Sequence, residues 1–157
     1  MPEWILINLL VLGATAVAVT VVVTMHFEGL LLLGRHTERH RVHRRVPWLG
    51  RARMIGMVLG LVVLHMSEIV VFGLTYWALL QVPGSGGIAG VDVAGLFEAC
   101  YLSAATYSTV GFGDVAPLGP LRWLAGTEAL VGIMMVAWSA SFAYLEMARH
   151  WREDMGQ

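Results

Sequence analysis

Charge is scarce in this chain. Asp, Glu, Lys and Arg make up 13% of its 157 residues against 57% hydrophobic, at a mean hydropathy of +0.70. That balance excludes a soluble globular domain and implies an integral membrane protein. Cysteine is nearly absent too: Cys100 stands alone, which excludes an intrachain disulfide and reads as packing in an apolar run. No helix carries regularly spaced arginines, so there is no voltage sensor of the usual kind. There is no GxxxxGK[ST] run, no hydrolytic constellation, and no polar segment long enough to bind a nucleotide or calcium. An enzyme is therefore not expected, nor a nucleic-acid partner. Gating would arise within the membrane, from a linker or from partners.

The apolar residues fall into three long runs. Trp4 to Leu33 has no basic stretch before it and no small-residue cleavage site after it, and reads as a retained helix, not a signal peptide. Met54 to Leu80 and Leu121 to Met147 are the second and third. Between them the Val93–Ala116 region has an apolar part, ending at Tyr107, that is too short to cross. A short apolar helix with a glycine-rich continuation reads as a re-entrant element. The expectation is an all-α membrane protein: an added helix over 1–33, a cytoplasmic linker over 34–53, and a unit over 54–157 with an outer helix 54–81, a pore helix and loop 93–116 and an inner helix 120–148.

Orientation follows from arginine. Seven of the ten basic residues (Arg35, Arg39, Arg41, Arg44, Arg45, Arg51, Arg53) lie between the first two runs, against one acid, Glu38. The positive-inside rule places this linker, and the C-terminus, in the cytoplasm and the N-terminus outside. The linker reads as a topogenic loop against anionic lipid heads. His36, His40 and His43, at helical spacing, offer the sharper alternative of proton-dependent gating. Trp4, Trp48, Trp77 and Trp151 near span ends read as interfacial anchors.

The stretch TYSTVGFGDVAP, Thr106 to Pro117, lies between greasy segments yet holds two glycines and an aspartate. In hydrocarbon, non-helical backbone survives only where it is buried in protein or lines a hydrated path. Glycine reaches φ > 0 cheaply, so Gly111 and Gly113 flanking Phe112 would turn successive carbonyls to one side. Four copies would make rings of oxygen, which suit weakly hydrated cations, with Thr109 adding a hydroxyl ring.

These residues carry a resemblance: TVGFGD, Thr109 to Asp114, resembles the TVGYGD selectivity filter of the potassium channel superfamily. FEACYLSAATYS resembles the pore helix before it, Pro117 and Arg122 follow as in that family, and Gly132 sits where an inner-helix hinge glycine would. With the first helix as an addition, the whole looks like the small bacterial ion channel proteins with three spans. The resemblance implies a homotetramer in the plasma membrane that conducts K+ passively. The carbonyls of Thr109, Val110, Gly111 and Phe112, with Gly113, would hold the ion, and Asp114 would stand at the outer mouth. Phe112 replaces the common tyrosine, Tyr101 and Leu102 stand where tryptophans often brace the filter, and Ala105 stands where some relatives place a glutamate. A weakly selective cation channel, or a transporter or metal-binding protein built on His and Glu, are the alternatives.

Ionisable residues inside the spans are functional candidates because of their cost. His26 and Glu28, His65 and Glu68, and Glu128 occupy the three runs. At 1.5 Å per residue, His26 lies roughly 12 Å and His65 roughly 16 Å from the cytoplasmic ends, and Glu128 roughly 12 Å below the outer edge, so one midplane cluster is expected. Three readings stand open: an interhelical staple, a proton sensor and a metal site. Outside, Asp92, Glu98 and Asp114 would form a negative funnel, or Asp92 would cap the pore helix and Glu98 pair locally. Ser139 and Ser141 would face an inner cavity or bond their own backbone.

Overall fold

The computed structural model describes residues 2–39 and 47–154 of the chain. Its elements, in chain order, are α1 (Glu3–Arg39), α2 (Pro47–Leu80), β1 (Gly87–Ala89), α3 (Leu96–Tyr107), β2 (Ala116–Leu118) and α4 (Leu121–Asp154). Linker residues Arg41, Arg44 and Arg45, with His40 and His43 of the proposed stripe, lie outside the described residues, and so do the side chains of His36 and Trp48.

Among the described residues three helices are long and apolar enough to cross a membrane: Glu3–Arg35, Arg51–Leu80 and Leu121–Arg149, of 33, 30 and 29 residues. At 1.5 Å per residue each exceeds a hydrocarbon core of about 30 Å. The helices overrun the expected ends. α1 continues past Leu33 to Arg39, α2 starts at Pro47 before Met54, and α4 runs past 148 to Asp154. Polarity ends a crossing, not a helix: Arg and Glu are good helix formers in water, and Pro47 suits a first helical position.

Each long helix buries one stripe. On α1 it is Val11, Thr15, Ala18, Val22, His26 and Leu30, spaced three and four apart, as one helix face requires. α2 supplies Met57, Leu61, Glu68, Phe72, Tyr76 and Leu79, and α4 supplies Leu121, Leu124, Glu128, Val131, Met135 and Ser139. The opposite faces stay apolar and exposed, with Val17, Leu32, Val63 and Leu130 among them, as expected where the solvent is lipid. Hydroxyls on those faces are satisfied locally: Thr20, Thr24, Ser67 and Thr127 donate to the carbonyl four residues earlier. α1 packs against α2 and α4, and α3 lies between α2 and α4.

The short α3 of 12 residues ends at Tyr107, where the apolar part was expected to end. Its cap is Gly95, whose N–H donates to Glu98 at 3.0 Å. Asp92 therefore does not cap it and is exposed, while Glu98 pairs locally. The two strands were not foreseen. β1 and β2 pair antiparallel, with Gly87 against Leu118, Ile88 against Pro117 and Ala89 against Ala116. Three residues each are too few to show a period, yet the pairing brings the chain before α3 against the chain after the filter-like loop. It closes the neck of the re-entrant segment.

Candidate functional site

The loop after α3 has an unusual backbone. Thr109, Gly111 and Gly113 have φ of 58°, 52° and 84°, whereas Val110 and Phe112 between them keep negative φ. A β-branched residue in the left-handed region is a genuine outlier, so Thr109 carries strain that surrounding structure must hold. Crowding does not explain the two glycines, because a Cβ at Gly111 or Gly113 would meet nothing within 4 Å. Their φ does. The loop is anchored to the helix before it: Gly111 N–H donates to the Ala105 carbonyl at 3.2 Å and Thr109 N–H to Thr106 at 3.0 Å.

Asp114 follows. Its Oδ2 accepts from the Tyr101 hydroxyl at 2.7 Å and its Oδ1 from the Val115 N–H at 3.0 Å. Tyr101 thus ties α3 to the C-terminal end of the loop. The bond holds the Tyr101 hydroxyl above its ordinary pKa, because the neutral form is the donor to a carboxylate. At the start of the loop, a groove of ≈ 280 Å³ runs between Ser108, Thr109, Ile133, Val136, Ala137 and Ala140. Gly132 touches the pore helix: a Cβ there would collide with the Tyr107 carbonyl. Close approach of α4 to the end of α3 is a sufficient reason for glycine at this position.

The intramembrane ionisable residues form two groups instead of the single expected one. In the first, His26 Nδ1 lies 2.8 Å from Glu68 Oε1, and His65 Nδ1 lies 3.2 Å from Glu68 Oε2 and 2.9 Å from the Tyr107 hydroxyl. Tyr107 also donates to Glu68, and Ser139 Oγ lies 3.5 Å from His26 Nε2. With both imidazoles protonated at Nδ1, the buried Glu68 carboxylate accepts from three donors contributed by α1, α2 and α3, and Ser139 of α4 closes the set. In the second group, Glu128 accepts from Tyr76 at 2.7 Å and Ser103 at 2.5 Å. Glu128 and Ser139 are eleven residues apart, so Glu128 sits about 16 Å further along α4 than Ser139, and the two groups come nearest on α3, where Ser103 and Tyr107 are one turn apart. Glu28 joins neither and is exposed. Two residues from His26 on α1, it points about 200° around the helix.

Of the two roles weighed for the serines, Ser141 takes the second, donating to the Ala137 carbonyl, whereas Ser139 takes neither and lies buried against His26. Tyr76, Ser103, Tyr107 and the Tyr101–Asp114 pair were missed by sequence reasoning. Of these only Tyr107 carried a signal: a phenol hydroxyl two residues before the filter-like stretch, in a segment too apolar to leave it without a partner. Cys100 packs under the outer helix, where a Cβ on Gly73 would come within 2.8 Å of its Cα.

Three apolar crossing helices and a re-entrant helix with a strained loop define a multi-pass membrane protein of channel type. A family described as Ion channel matches residues 64–145, over half the chain, and the chain belongs to it. The match runs from α2 through α3 and the loop to α4, and leaves α1 as an N-terminal addition to a two-helix pore unit. Among curated proteins, Protein LctB of Geobacillus stearothermophilus is 44% identical over 55 residues, 35% of this chain and 41% of that protein. Protein LctB of Bacillus caldotenax is 40% identical over 80 residues, 46% of this chain and 59% of that protein. The alignments thus span about half the length of these relatives. No solved structure matches the chain.

Proposed function

We propose that four copies of the chain assemble around their Thr109–Gly113 segments and conduct K+ passively across the membrane. The observation that carries this reading is the alternation of φ at Thr109, Gly111 and Gly113. Alternating left- and right-handed residues turn successive peptide planes the same way. The Gly111 N–H is held toward α3, which turns the Val110 carbonyl of the same peptide to the opposite side, and the alternation would bring the carbonyls of Thr109, Gly111 and Phe112 into line with it. Fourfold repetition makes stacked oxygen rings that replace the hydration shell of K+. Strain at a non-glycine residue is more readily understood where it serves a function.

Several features support the assembly. Val110 and Phe112 are 56% and 70% exposed in the single chain, and neighbouring copies would cover them. The C-terminal end of α3, with its partial negative charge, adjoins the inner end of the filter and favours a cation. The groove beneath is then one quarter of an inner cavity. The arginine-rich linker orients the chain in the bacterial inner membrane with N-terminus outside and C-terminus inside, and contacts anionic lipid heads. The Glu68 group staples the added helix to the pore unit. Potassium flux into proteoliposomes, lost in Gly111→Ala, tests the reading. A weakly selective cation pore is the second reading, favoured by Phe112, whose ring has no hydroxyl to anchor the filter wall.

A further inference from the structure

The donor atoms of His26, His65 and Glu68 converge within 4.8 Å of one another. The convergence is built from two helices, one imidazole coming from the added helix α1 and the other two side chains from α2. We infer that these three side chains form a binding site for a divalent transition-metal ion of the zinc class, with the Tyr107 hydroxyl oxygen beside it as a fourth donor. This goes beyond the pore reading and does not depend on it.

The spacing fits. Zinc bonds of about 2.0–2.2 Å to N and O place neighbouring tetrahedral ligands about 3.4 Å apart. The present N–O separations are 2.8 and 3.2 Å, so an ion enters with small outward shifts of the two rings. Two imidazoles and one carboxylate are a zinc-type donor set, and they disfavour K+, Na+ and Mg²⁺, which demand more oxygens.

Proton bookkeeping also closes. A neutral His26 that now donates from Nδ1 to Glu68 moves its proton to Nε2 when Nδ1 takes the metal. Ser139 Oγ lies 3.5 Å from Nε2, placed to accept that hydrogen, as outer-sphere partners of metal-bound imidazoles do. His65 makes the same tautomer change. Its side chain is 19% exposed whereas His26 and Glu68 are fully buried, so the metal reaches the site past His65. A bound dication also balances a carboxylate held in an apolar surround. It would fasten α1 to α2 beside Tyr107, two residues before Thr109.

The test uses full-length, untagged protein in detergent with His36, His40, His43 and His150 changed to Gln, so that other imidazoles do not compete. Co²⁺ is titrated and the visible ligand-field absorption recorded. The expected result is one Co²⁺ per chain with the intense absorption of a four-coordinate site, bleached by equimolar Zn²⁺. Ser139→Ala should weaken binding by roughly 10–100-fold, and His26→Ala and His65→Ala by more. Glu28→Gln should leave it unchanged. The parent protein staying colourless at millimolar Co²⁺ would overturn the site without reliance on any cluster variant. So would an absorption that persists in a His26→Ala, His65→Ala protein eluting as the wild-type oligomer.

Discussion

Tyr107, the last residue of α3, donates its hydroxyl to Glu68 at the middle of α2, and the same carboxylate accepts from His26 on α1. One buried acid therefore connects the end of the pore helix, two residues before Thr109, to a helix outside the family's pore unit.

That shared acceptor makes the energetic consequences non-additive. In chelator-treated detergent solution, His26→Ala and Tyr107→Phe should each lower stability by about 0.6–2 kcal/mol per lost bond. The double variant should depart from their sum by about 0.5 kcal/mol or more. Pairing His26→Ala with Glu128→Gln should instead be additive, since Glu128 is bonded to Tyr76 and Ser103 and shares no hydrogen-bond partner with His26. Thermal unfolding of the four proteins measures both terms.

Glycines on α4 should separate by environment. Gly132→Ala puts a methyl group into the Tyr107 carbonyl and should cost about 1–3 kcal/mol. Gly126 has nothing within 4 Å of the added carbon, so Gly126→Ala should be neutral or stabilise by up to about 1 kcal/mol through helix propensity. Equal effects in thermal unfolding would remove the close-approach argument.

In the proposed channel the Tyr101–Asp114 bond should brace the outer end of the filter. Tyr101→Phe should make K+ flux decay severalfold faster during sustained conduction, with initial flux retained. The Tyr101 pKa is raised above 10.0 in the folded chain, so the bond's contribution is complete below pH 10 and lost only as pH rises through the raised value. Wild-type decay should therefore be flat between pH 7 and 9 as far as this bond is concerned. A Tyr101→Phe protein that decays like wild type would show that Asp114 needs no such brace.

Much of this was legible in the sequence, and for identifiable reasons. Three apolar runs and a glycine-bearing stretch suffice for the spans and the re-entrant loop, because lipid forbids the alternatives. The partition of the polar residues was not legible. Depth along a helix locates a residue to within a turn or two, but which face it presents depends on partners elsewhere in the chain. Glu28 and His26 are neighbours in sequence and opposed in direction. Glu128 found Tyr76 and Ser103, hydroxyls whose burial nothing local announces. The β1–β2 pairing was hidden for a similar reason, since two three-residue strands on either side of α3 have no pattern of their own.

Topology is open to direct labelling. In a Cys100→Ser background, a cysteine at position 3 should react with an impermeant thiol reagent added outside intact cells, and one at position 37 only after permeabilisation. The reverse pattern would turn the filter's mouth toward the cytoplasm.

The central claim is that Thr109–Gly113 is an ion pathway, and the most direct measurement is flux in proteoliposomes containing the purified chain. Wild-type protein should carry K+ well above Na+. Gly111→Ala places a side chain at a φ of 52°, which costs an L-residue about 1–2 kcal/mol, and should abolish flux while the oligomer still forms and inserts. Potassium flux in Gly111→Ala equal to wild type would contradict the assignment of this loop as the filter.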